Sequence, residues 1–168
     1  METIRIGTFN VFNLVWPEIK YYGNKKYKQD DFERKTSWIA GQLDKLGSDI
    51  VGFQEVFHAK ALQEALAKTD KLKDAQTIVA DPSEMALADP PVQEEDLGPK
   101  VALASAFPVT AHEIISAFPE DAVVDVEGNT IPLTTFSRPV LRATYAGMYS
   151  ARSRIFPVRS LAPFPRPR

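Results

Sequence analysis

Asp49-Ile50-Val51-Gly52-Phe53-Gln54-Glu55 is the stretch whose reading decides the fold of this chain. A nearly continuous apolar run that ends on two polar residues is the pattern of a buried strand emerging at a sheet edge. Just upstream, Phe32, Ile39, Leu43 and Leu46 recur at helical spacing with Trp38 and Gln42 beside them. That predicts an amphipathic helix, N-capped at Asp30 or Asp31, running to about Leu46 and stopped by Gly47. Further upstream, Ile4 to Val11 reads as a short strand rich in β-branched and aromatic residues, with Gly7 allowing close approach of a neighbouring backbone. A strand-helix-strand unit makes its two strands parallel, with their C-terminal ends on one sheet edge. Asn10 and Glu55, far apart in sequence, are therefore predicted to meet there.

Outward from this unit the signals shorten. Residues 17–29 form a loop rich in Tyr and Lys (Tyr21, Tyr22, Lys25, Lys26, Tyr27, Lys28), with Gly23-Asn24 as its turn, and read as solvated. Ala59 to Lys68 predicts a second, shorter helix, and Thr77 to Ala80 a brief strand. A long loop, Asp81 to Lys100, holds four prolines and the acidic run Gln93-Glu94-Glu95-Asp96. Val101 to Ser105 reads as a buried strand and Val109 to Ile115 as its partner across a Phe107-Pro108 turn. Val123 to Val126 and Thr130 to Leu133 predict a hairpin through Glu127-Gly128-Asn129, and the last strand begins at Phe136 or Val140 and ends at Tyr145. Residues 146–168 hold five Arg, four Pro, three Ser and no acid, and sustain neither strand nor helix periodicity. They are expected to be a disordered or frame-shifted Arg/Pro-rich tail after a domain spanning 1–145.

At 168 residues, 44% hydrophobic and 25% charged, the chain is within the ordinary globular range for one domain, and short for an α/β sandwich. No run is long and apolar enough to span a bilayer and no secretory signal opens the chain, which makes a cytoplasmic protein the simplest expectation. With no cysteine, disulfides, thiolate metal sites and a cysteine nucleophile are excluded, so any metal is held by oxygen or imidazole. The net charge of −2 conceals an asymmetry: no Asp or Glu follows Glu127, whereas seven Arg do. A basic tail on an acidic body suits contact with nucleic acid or another anionic partner.

A carboxylate at the mouth of a sheet is a suitable hard ligand for Mg²⁺, and a neighbouring amide suits orientation of a phosphate oxygen. Glu55 and Asn10 fill these places, although either residue alone is equally at home as a solvated strand end, cap or turn. Ile6-Gly7-Thr8-Phe9-Asn10-Val11 and Asp49 to Val56 are followed in order by Gly98 to Ser105 with Phe107-Pro108-Val109, and then by Phe136 to Ala143. As a set these segments, over residues 3 to 145, resemble the endonuclease/exonuclease/phosphatase superfamily, which includes deoxyribonuclease I.

The resemblance implies an α/β fold, a four-layer α/β sandwich of deoxyribonuclease I-like type that would be incomplete at its C-terminus. It also implies hydrolysis of a phosphoester substrate, nucleic acid among the candidates, with Mg²⁺ or Mn²⁺. Carried over by motif, Glu55 is the metal ligand, Asn10 the amide supporting the metal and phosphate, and Arg138 of Ser137-Arg138-Pro139 a contact to substrate phosphate. The family's later Gly-Asp-Phe-Asn and Ser-Asp-His segments have no counterpart in this sequence. Neither His58 nor His112 matches a catalytic position of the family, and both are expected at the surface or in packing. The expectation is thus a truncated hydrolase, catalytically incomplete, whose open sheet edge favours self-association. The alternative is a noncatalytic scaffold whose basic tail contacts an anionic partner.

Overall fold

The computed structural model describes residues 3–81, 83–89, 91 and 98–146. The tail after Ala146 and the run Gln93 to Asp96 lie outside the described residues.

β1 (Ile6–Leu14), α1 (Gln29–Leu46) and β2 (Ile50–Val56) form the predicted unit, with β1 and β2 parallel neighbours. α2 (Ala59–Leu66), β3 (Gln76–Val79) and β4 (Lys100–Ser105) complete a four-stranded mixed sheet in the order β1-β2-β4-β3. Phe9, Phe53, Ala102 and Val79 occupy one rung across all four strands, and all are buried. With Val11 and Val51 they share one core with Phe32, Ile39 and Leu43 of α1 and Leu62, Ala65 and Leu66 of α2. Alternation along the strands and the spacing of the helix positions thus agree on a common interior.

α1 ends as its sequence predicts: Gly47 adopts the left-handed conformation (φ 60°) and its amide donates to the Leu43 carbonyl at 3.0 Å. Its start differs. Lys28 is the N-cap and makes no side-chain cap bond, while Asp30 and Asp31 lie inside the first turn, where carboxylates favour the positive end of the helix dipole. Gly7 is required by close approach as predicted, but by side chains: an added Cβ would come within 2.6 Å of Leu46 and 2.7 Å of Ser48.

The larger departure concerns β5 (Val109–Ala117). It does not pair with β4, whose two edges are taken by β2 and β3; it pairs antiparallel with β8 (Thr135–Tyr145) in a second sheet. The Ser105 hydroxyl explains the exit, accepting from the Phe107 amide at 3.0 Å and donating to the Phe107 carbonyl at 2.7 Å, which folds the chain out of the first sheet. β8 nonetheless packs against β4. β6 (Val123–Val126) and β7 (Asn129–Pro132) form the predicted hairpin with a two-residue loop rather than three: Glu127 and Gly128 both have positive φ, 52° and 82°, as the primed turn requires. A short 3-10 turn, Met85–Leu87, interrupts the loop expected after Asp81. The fold is mixed α/β, and no helix among the described residues is long and apolar enough to cross a membrane.

Candidate functional site

Regular pairing of β1 with β2 ends at Asn10↔Gln54 and resumes at Leu14↔Val56. Between those rungs Val11, Phe12 and Asn13 oppose the single residue Glu55. Across the other edge, Gln54 and Glu55 together oppose Val101, since β2 also loses register with β4 between Phe53 and Val56. Both strands therefore bulge at the same edge, a device that re-aims side chains. In an unbroken strand Glu55 would share the face of Phe53 and point into the core. Its φ of 64° breaks that alternation.

The re-aimed carboxylate meets Asn10. Asn10 Nδ2 donates to Glu55 Oε1 at 2.9 Å, and the Asn13 amide donates to Oε2 at 3.1 Å. Asn10 Oδ1 accepts from the Phe12 amide at 2.8 Å, which fixes the orientation of the side-chain amide, oxygen toward the turn and nitrogen toward Glu55. Gln54 is held by a separate bond, donating to Thr8 Oγ1 at 2.8 Å. The pair predicted from topology is thus brought into direct contact.

Two residues stand behind it: Lys35, which the sequence reading did not name, and Tyr27, named there only as part of the Tyr and Lys loop. Lys35 of α1 is buried, 1% exposed, and its Nζ donates to the Phe12 carbonyl, to the Asn13 carbonyl at 3.3 Å and to Tyr27 Oη at 2.6 Å. Burial pushes its ammonium down to about 7 against the opposing attraction of Glu55. Tyr27, held above the ordinary tyrosine value chiefly by burial and then by its hydrogen bond with Tyr21, stacks on Tyr21 at 5.6 Å. Tyr21 and Tyr22 in turn pack on the buried Phe57. The Tyr and Lys loop, read as solvated, is in part a wall behind the site. A signal for Lys35 did exist: it lies on the same helix face as Phe32 and Ile39, three and four positions away.

Arg138 is not brought to this pair. It is exposed on β8 in the second sheet, and no hydrogen bond or ion pair ties it to any described residue. His58, expected at the surface or in packing, is wholly buried, its Nδ1 accepting from the Trp16 amide at 3.2 Å. His112 is exposed on β5.

Among the described residues no three His, Asp or Glu side chains gather as a metal cluster. The bulged edge offers the Glu55 carboxylate, each of whose oxygens keeps acceptor capacity after one hydrogen bond; Asn13 Oδ1, on the same bulge, is buried and accepts no hydrogen bond from the described residues. That donor chemistry fits a hard cation that takes few protein ligands and keeps several waters. Comparison with protein-family models, with curated proteins and with solved structures gave no match.

Proposed function

We propose that this chain carries part of a metal-dependent phosphoester hydrolase site of the endonuclease/exonuclease/phosphatase kind, on a scaffold belonging to the four-layer α/β sandwich class. The observation that supports the reading is the 2.9 Å bond between Asn10 and Glu55, residues 45 positions apart that meet where two strands bulge at one sheet edge. Glu55 holds Mg²⁺ or Mn²⁺ through its carboxylate. Asn10 orients that carboxylate with its amide nitrogen, while its oxygen is engaged by the Phe12 amide. When bound, the ion supplies positive charge to a phosphate oxygen of the substrate. Arg138, exposed on β8, supplies a guanidinium for a second phosphate contact of an extended substrate such as a nucleic acid. The cytoplasm is the compartment proposed, and an open sheet edge is the surface proposed for self-association.

The family's Ser-Asp-His segment has no counterpart in this sequence, and a metal without a placed general base gives only part of the rate. The purified chain is therefore expected to bind Mn²⁺ and to turn over phosphodiester substrates negligibly. Mn²⁺ titration followed by electron paramagnetic resonance tests the first statement, with binding lost in Glu55→Ala. Unchanged binding in that variant removes Glu55 from the role. Robust turnover abolished by the same substitution would show a site more complete than proposed.

A further inference from the structure

The peptide group between Phe12 and Asn13 faces two ways. Its carbonyl accepts from Lys35 Nζ inside the protein, and its N–H, the Asn13 amide, donates to Glu55 Oε2 on the site side. Because the peptide is planar, fixing one end fixes the direction of the other. Both flanking residues are non-glycine and left-handed, φ 52° and 57°, a conformation that is costly for side-chain-bearing residues and persists only where the surroundings impose it. The Lys35 ammonium, held also by the Asn13 carbonyl and Tyr27 Oη, is what imposes it from behind. A cation on the carbonyl also polarises the N–H opposite and strengthens its bond to the carboxylate.

We infer that Lys35 is a positioning residue: through the single peptide group joining Phe12 to Asn13 it sets the orientation of the Glu55 carboxylate and, through Glu55, of the Asn10 amide. Among the described residues Lys35 reaches the pair through this peptide, and its charge also acts on Glu55 directly. That the oriented pair serves a metal rests on the function proposed above; the relay itself does not.

Nuclear magnetic resonance on the metal-free chain separates the two. Lys35→Met keeps the length and apolar stem and removes the donor. It is expected to speed exchange of the Asn13 amide about tenfold and to shift the Asn10 side-chain NH₂ signals toward free-amide positions, while the core amides of Val51 and Phe53 stay protected. Lys35→Arg, which restores donors, is expected to bring both signals back. A general packing defect would instead loosen Val51 and Phe53 with the rest. Wild-type behaviour of Asn13 and Asn10 in folded Lys35→Met overturns the relay. If that variant does not fold, Lys35→Gln decides, with partial loss of Asn13 protection supporting the relay and full protection overturning it. Absent Mn²⁺ binding by the wild-type chain would sink the metal role, and the Asn13 and Asn10 signals would still decide whether Lys35 positions the pair.

Discussion

Glu55 occupies a backbone conformation suited to glycine, and its carboxylate is what makes that conformation useful. Glu55→Ala and Glu55→Gly lose the same two hydrogen bonds, so the difference between them isolates the backbone. The glycine variant is expected to be the more stable by about 1 kcal/mol in urea unfolding, the reverse of the usual order for a strand. Equal stability, or alanine ahead, would show that φ at this position is relaxed. Lys35 gives a second prediction at this scale. Its ammonium is held at about 7, mainly by burial, against an ordinary value of 10.5. Below about 7 both folded and unfolded chains carry the proton, and the folded state bears the whole cost of the buried charge. Between about 7 and 10.5 the unfolded chain binds a proton that the folded chain does not, so stability rises with pH. The wild-type urea midpoint is expected to climb between these limits relative to Lys35→Met, and a flat difference would contradict the shift.

At the scale of elements, the strand-helix-strand unit was legible because each of its signals is local: the apolar run of β2, the spaced face of α1, and Gly47 as a stop. The bulges were not, since no residue type at Val11 to Asn13 or at Gln54-Glu55 announces a lost register. They arise from how three strands meet, Leu14, Val56 and Lys100 resuming a common rung beyond the irregularity. The pairing of β5 escaped the sequence for a related reason: a Phe107-Pro108 turn between two apolar runs suits a hairpin, but β4 already had both edges occupied. Asp81, just beyond β3, shows how a loop is tied down. Burial pushes its carboxyl up, yet the Ala86 amide at 2.7 Å, the Ser83 hydroxyl at 2.7 Å and Lys100 at 3.4 Å together hold it below the ordinary value. A depressed carboxyl contributes stability above its ordinary value of 3.8, and loses it as pH falls through the folded value. Asp81→Asn is therefore expected to be less stable than wild type at neutral pH and to show a shallower loss of stability below pH 3.8. Parallel acid limbs would rule this out.

At the scale of the whole molecule, stability is uneven. The core lies between the four-stranded sheet and the two helices, whereas every residue of β6 and β7 is exposed, Val123, Val124, Val126 and Ile131 among them. An isolated two-stranded hairpin is marginal in water. In hydrogen exchange followed by mass spectrometry, peptides covering residues 120–134 are expected to exchange far sooner than those covering 48–57. Comparable protection would mean that something covers the hairpin in solution.

The sequence by itself determined the mixed α/β class, the parallel unit and the meeting of Asn10 with Glu55, because periodicity and chain connectivity are properties of neighbouring residues. Only the tertiary structure decided that Glu55 turns out of the core, that Lys35 grips the turn from behind, that the Tyr and Lys loop folds onto that lysine, and that Arg138 stands apart on another sheet. Each of these depends on a left-handed backbone angle, a bulge or a buried charge, and such features are fixed by residues distant in the chain that come together only when the core closes.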